Sequence, residues 1–299
     1  MKNEQLLTLT RQLEAMDDAL TAHAKAKASM LEKQEVYFDE ENDLQERSTY
    51  YQDIDFEKKE LIVSFQKLLE NTHTTPLRYN PSRYVYPWVD LQPDGTLKSI
   101  YSGVQRTAEE VIIEDYETSL KRKKELEKLE ENRDSIQSFA QIEHTFKYNC
   151  EHVVPQSWFG AREPMRGDLH HLFTCEPVCN SIRGNHPYVD FKDYTPEEAQ
   201  LSKITAGCGK AENKLFEPEY AKGIVARAML YFLVRYPDKL SSGFKNGIDI
   251  RLLLRWHKDF PPGVYEKHRN QAIYELQGNR NPFIDFPEKA AQLTESLLS

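Results

Sequence analysis

The sequence predicts an α+β fold that is mainly helical, with its few strands gathered in the middle of the chain. Three patterns carry that expectation. Apolar residues recur at helical spacing through the N-terminal region and again beyond Pro218. β-Branched and aromatic residues, punctuated by Pro and Gly, cluster between Tyr79 and Val104. A strand–loop–strand–helix pattern occupies about 146–186. The chain therefore divides into a helical, coiled-coil-like N-terminal extension, 1–72, and a larger domain, 73–299, in which that central segment is embedded among helices.

Each element has a local reason. Leu6, Leu9, Leu13, Met16 and Leu20 alternate three and four apart, a heptad seam on an otherwise polar helix. The register fades at His23 and Lys27, and Ala24, Ala28 and Leu31 continue on a shifted face, as a stutter would. Residues 53–70 form a second amphipathic helix with Phe56, Ile62, Phe65 and Leu69 on one side. These helices pair in a hairpin within the chain, the favoured arrangement, or dock onto a second copy or a protein partner. Thr72 to Pro76 breaks the pattern. Residues 79–104 then read as a short hairpin or extended segment, turned at Pro93-Asp94-Gly95. Residues 107–142 are one helix or two, and the mixed charges from Lys121 to Arg133 mark a solvated face rather than a nucleic-acid stripe. Phe146 to Val154 and His170 to Phe173 read as strands. Pro177 opens a helix, since proline suits the first turn. Beyond Pro218, Tyr220 to Tyr236 is apolar enough to be buried. Ile248–His257 and Val264–Leu276 follow, stopped by Pro261-Pro262-Gly263 and by Gly278.

Composition sets outer bounds. No run of eighteen apolar residues occurs, so neither a transmembrane helix nor a membrane partner is expected. The N-terminus lacks a basic segment followed by an apolar one. No secretory signal is therefore expected and a cytoplasmic location is, with secretion by another route left open. The formal charge of −9 argues at first against a nucleic-acid partner. Its distribution weakens that objection: residues 146–299 carry 20 Lys+Arg against 19 Asp+Glu, leaving 19 against 29 in the first 145. A near-neutral second half can present a basic groove, and a bound cation adds local positive charge.

Two stretches carry the chemistry. One is Asn149-Cys150-Glu151-His152-Val153-Val154-Pro155; the other runs from Asp168-Leu169-His170-His171-Leu172 to Asn180-Ser181-Ile182-Arg183-Gly184-Asn185. Together they supply a carboxylate, imidazoles, an amide and an arginine. Metal-assisted phosphodiester hydrolysis asks for such a set: a base for water, a cation to offset phosphorane charge, and donors for the phosphate. Taken singly, each residue has a plainer reading: a Glu-His pair at a strand end is usually structural, and a lone Asn is more often a helix cap. Adjacent strand residues point to opposite faces, so Glu151 and His152 share a site only if the strand ends or twists there, as Pro155 suggests.

These stretches resemble the endonuclease I family, a branch of the ββα-metal (His-Me finger) nucleases. The helical tail is similar too, in Val225-Ala226-Arg227-Ala228, Trp256-His257 and the run Arg269 to Asp285. The resemblance covers roughly 75–290 and implies the following roles. His152 is the general base. Glu151 and Asn180 bind one Mg²⁺, for which Mn²⁺ or Ca²⁺ could substitute; Mg²⁺ wants hard oxygen ligands and keeps several waters. An arginine between the two strands holds the cleaved phosphate; Arg162 and Arg166 both lie there, and Arg162 is favoured. One of His170 and His171 faces the core and orients the groups that react. Arg183, Asn185 and Arg280 contact phosphate or else bond internally to loops. The implied activity is hydrolysis of DNA, with RNA a second candidate, and with little sequence preference because no base-reading module is visible. The alternative is a non-catalytic nucleic-acid- or protein-binding module assembling through the N-terminal heptad helix.

Cys150, Cys175, Cys179 and Cys208 all fall beside this region. Four thiolates can form a tetrahedral structural zinc site, distinct from the Mg²⁺ site because Mg²⁺ avoids sulfur. The other readings are buried unpaired cysteines, or a disulfide if the protein is exported.

Overall fold

The computed structural model describes residues 7, 10–11, 14–32, 37–58, 60–131, 141–142, 145–195 and 207–298. Helices dominate, and the strands form three separate two-stranded antiparallel ribbons.

Leu6, Leu9 and Leu13 of the heptad seam lie outside the described residues. The described helix, α1 (Met16–Glu32), packs within the chain: Ala19 is buried, and Met16, Leu20, Ala26 and Met30 lie against a core that includes Val85, Val89 and Ile112. Helix α2 (Glu40–Tyr50) is capped by Asp39, whose carboxylate accepts from the Asn42 N–H at 3.0 Å. Helix α3 (Leu61–Thr72) buries Leu61, Ile62, Phe65 and Leu69, one stripe at helical spacing. It starts later than the sequence suggests: residues 51–53 and 56–57 are turn, and Phe56 packs from outside the helix.

The segment 79–104 differs from the expected hairpin. Asn80 caps a helical turn over Pro81–Tyr84, and Val85–Val89 continues as a wider π turn closed by the Asp90 N–H on the Val85 carbonyl, 2.9 Å. Pro81 suits a first turn, and Pro87 has no N–H to give an α-helical bond, so aromatic and β-branched content is overridden here. Only β1 (Leu97–Lys98) and β2 (Gln105–Arg106) pair. Helix α4 (Ala108–Glu131) buries Ala108, Val111 and Ile112 in its first turns; its charged second half is mostly outside the core.

Strand β3 (Cys150–His152) pairs antiparallel with β4 (Leu172–Thr174), placing Glu151 opposite Phe173 and His152 opposite Leu172. His170 and His171 belong to a 3₁₀ turn, Leu169–His171, before the strand rather than to the strand itself, because Asp168 caps that turn by accepting the His170 N–H. Helix α5 (Pro177–Arg183) follows, with proline in its first turn. Strands β5 (Gly209–Glu212) and β6 (Leu215–Pro218) form the third ribbon.

Helix α6 (Lys222–Arg235) is apolar on nearly every face and runs through the main core, against α3 and against α7 (Ile250–Asp259). Helix α8 (Val264–Gln277) ends at Gly278, whose φ of +88° is the left-handed cap that halts it. No helix among the described residues is long and apolar enough to cross a membrane.

The C-terminal helices frame the β3–β4 hairpin. Asp168 accepts hydrogen bonds from the hydroxyls of Tyr231 and Tyr236, both at 2.8 Å, and from the Gln277 amide at 3.1 Å. Arg269 donates to the carbonyls of Leu169 and Leu172 and pairs with Asp90, which accepts the Thr174 N–H. Arg280, fully buried, joins Asp285 to Asp43 of α2.

Candidate active site

A cavity of ≈ 200 Å³ opens where β3 ends and α5 begins, and Glu151, His152 and Asn180 all line it. Two adjacent strand residues reach one cavity because β3 stops at His152, with Pro155 just beyond. Asn180 comes from α5, and its side-chain NH₂ donates to the Cys150 carbonyl at 2.9 Å, which ties the helix to the strand next to Glu151.

Glu151 is buried. Its Oε1 accepts from the Tyr101 hydroxyl at 2.8 Å and lies 3.3 Å from Nε of Arg183. Burial pushes its carboxyl up to about 7, against the opposing pull of Arg183 and the Tyr101 hydrogen bond. His152 is held well below the usual histidine range, by burial first and by the neighbouring His171 next, so it is neutral at pH 7. Its Nε2 lies 2.9 Å from the Arg166 carbonyl. A carbonyl can only accept, so the ring proton sits on Nε2 and Nδ1 carries the lone pair. Tyr79 packs on the imidazole, centroids 4.8 Å apart, and His171 meets it edge-on at 5.4 Å. His171 in turn donates to the Met165 carbonyl, while His170 bonds the Asn279 carbonyl and packs on Tyr231, away from the cavity.

The loop between the strands carries two arginines in different settings. Arg166 lines the cavity; its Nε donates to Gln156 at 2.9 Å and its guanidinium lies over Tyr79. Arg162 is exposed, donates to the Phe159 carbonyl and is not part of the lining. Arg183 and Arg280 are fully buried and bonded internally, Arg183 to the Val153 carbonyl and Glu151, so neither is free for phosphate. Asn185 does line the cavity. The sequence reading did not single out Tyr79, Tyr101, Arg122 or Lys147, whose roles depend on long-range packing that no local spacing reports.

The donor set fits a hard divalent ion. Tyr101 and Arg183 both engage Oε1 of Glu151, leaving Oε2 the more open oxygen. The Asn180 amide nitrogen is taken up by Cys150, leaving its oxygen as the available ligand. Two oxygens with water completing the shell suit Mg²⁺. Among the described residues no cluster of three or more His, Cys, Asp or Glu is arranged to hold a metal.

The four-cysteine zinc site is not formed. Cys179 and Cys208 are joined in a disulfide, and Cys150 and Cys175 are buried thiols that burial pushes well up, so four thiolates are not available to one ion.

The hairpin's strand end, the following helix and the connecting loop thus bring a carboxylate, a neutral imidazole and an arginine to one cavity. Residues 59–288 match the family model of Endonuclease I, and the chain belongs to that family. Among its relatives are the extracellular ribonucleases of Bacillus amyloliquefaciens and Bacillus subtilis (strain 168), each 36% identical over 162 residues and 49% of this chain. An extracellular deoxyribonuclease of Aeromonas hydrophila is 28% identical over 164 residues, covering 48% of this chain and 68% of that protein. The chain spans about half the length of the two ribonucleases, 53% and 54%. These relatives, with a periplasmic deoxyribonuclease of Aeromonas hydrophila, act outside the cytoplasm, which corrects the cytoplasmic expectation. The Cys179–Cys208 disulfide agrees, since such bonds persist in oxidising compartments.

Proposed function

We propose that this chain is a divalent-metal-dependent endonuclease that hydrolyses phosphodiester bonds outside the cytoplasm, with β3, β4 and α5 forming a ββα-metal motif. The observation that carries the reading is the convergence of Glu151, His152 and Asn180 on one cavity in a member of the endonuclease I family. His152, neutral and with Nδ1 open, takes a proton from the attacking water, while the Arg166 carbonyl and Tyr79 keep the ring in orientation. Glu151 and Asn180 would hold one Mg²⁺, or Mn²⁺ or Ca²⁺ in its place, and the bound ion offsets charge developing on the phosphate. Arg166, rather than the exposed Arg162, holds the phosphate from the His152 side. The substrate is DNA or RNA, since relatives are named for each, gripped mainly through phosphates.

The test is cleavage of supercoiled plasmid and of a long RNA by purified protein with Mg²⁺ and with EDTA. Cleavage that requires the metal and falls about 10²–10⁴-fold in a folded His152→Ala variant is the expected result. Equal cleavage in EDTA, or none on either nucleic acid, would sink the reading.

A further inference from the structure

Lys147 also lines the cavity, and the way it is presented there is specific. The segment leading into β3 is fastened to α4 at successive points. Arg122 donates to the Phe146 carbonyl at 2.6 Å and lies over the Tyr148 ring; the Tyr148 hydroxyl meets Ser119 at 2.8 Å; and the Asn149 N–H donates to Asp115 at 2.8 Å. The Tyr148 hydroxyl and Asn149 thus reach α4, whereas the Lys147 ammonium reaches α5. There the half-buried ammonium has one long bond, 3.4 Å, to the Asn180 carbonyl. An ammonium has three protons to donate, so others remain for water or for an anionic ligand in the cavity it lines. Its electrostatic neighbours are Glu151, Cys175 and Arg183, whereas those of His152 are His171, Arg166 and Arg183. Lys147 therefore stands on the Glu151–Asn180 side and Arg166 on the base side.

We propose that Lys147 is a further catalytic residue, contacting the scissile phosphate at its leaving oxygen. This role rests on the nuclease reading above. In-line displacement puts the attacking water and the leaving oxygen on opposite faces of phosphorus. With His152 and Arg166 at the water, the oxygen whose bond to phosphorus breaks, and which leaves with the bonding electron pair, falls on the side of Lys147. A fixed positive charge there stabilises what develops only in the transition state, so it acts on kcat more than on KM.

The experiment first identifies the leaving bridging oxygen from the end groups of the products, then compares wild type, Lys147→Gln and Lys147→Arg on an oligonucleotide with an ordinary linkage and on one whose leaving bridging oxygen is replaced by sulfur, a leaving group that needs little help. Lys147→Gln is expected to lose about 10²–10³-fold in kcat on the oxygen substrate with KM little changed. It should keep most of the wild-type rate on the sulfur substrate, and Lys147→Arg should recover part of the loss. Equal losses on both substrates, or wild-type cleavage by a folded Lys147→Gln protein, would overturn the leaving-group role and leave the nuclease reading intact. Failure of the wild type to cleave either substrate would overturn both.

Discussion

At the scale of single residues, the site depends on buried charges whose neighbours decide their state. Asp115 illustrates how such a group couples to pH. It is buried on α4, accepts from the Tyr86 hydroxyl at 2.7 Å and from the Asn149 N–H at 2.8 Å, and burial pushes its carboxyl up to about 6. In the unfolded chain the same carboxyl titrates near its ordinary value, about 3.9. Between those values the folded protein holds a proton that the unfolded chain has released. Stability from this group therefore falls as pH rises from about 4 to about 6, then levels off, by at most a few kcal/mol. In Asp115→Asn that decline is expected to vanish. Thermal melts at pH 4.5 and pH 7 check it: the melting temperature of the variant relative to wild type should be higher at pH 7, and a constant difference would contradict the linkage. Legibility at this scale was uneven. That Glu151, His152 and Asn180 meet at one cavity was readable because their types and order are local. Which of Arg162 and Arg166 lines that cavity was not, because it turns on which one the Tyr79 ring and Gln156 draw in.

At the scale of elements, helix α5 is the piece most in need of fastening, since it is only seven residues long and carries Asn180. An isolated helix that short is not stable in water. Three tethers on its own side chains hold it: Asn180 on β3, Arg183 on the Val153 carbonyl and Glu151, and the Cys179–Cys208 disulfide, which closes a sequence separation of 29 next to β5. Loop closure of that length is worth about 2–4 kcal/mol. Cys208→Ser, which leaves α5 itself unchanged, is expected to be destabilised by that amount in denaturant titrations, and wild type in reductant should match it. An unshifted midpoint in both would show that the bond adds nothing. The mainly helical class and the late helices were legible because long apolar periodicities report burial directly. The segment 79–104 was not: two prolines and the Asn80 cap outweigh its strand-like composition, and the outcome depends on the core of α1 and α4 closing over Val85 and Val89. The cysteine pairing was equally hidden, because four sulfurs near one another in sequence are compatible with several partnerships.

At the scale of the whole molecule, distant segments are joined through buried ion pairs rather than through one extended sheet. Arg280 is the chief of these, donating to Asp285 at 2.9 Å and pairing with Asp43 of α2, while Tyr51 and Arg47 also reach Asp285. Burial raises the Asp43 carboxyl above its ordinary range, with the guanidinium opposing it. Removing the cation leaves two buried carboxylates sharing only the more distant Arg47, so Arg280→Met is expected to cost about 3–5 kcal/mol, read by denaturant titration. A loss under 1 kcal/mol would mean that α2 is held by its apolar contacts instead. The frame behind the hairpin has the same long reach. The Leu169 N–H is satisfied by Gln277, 108 residues further along, and Arg269 reaches back 100 residues to the Leu169 carbonyl. Ribosomes make chains from the N-terminus, so the residues proposed to cut nucleic acid are synthesised well before the helix that orders them. A half-made chain thus carries those side chains without their scaffold, and the hairpin gains its frame only once the chain has been made as far as Gln277.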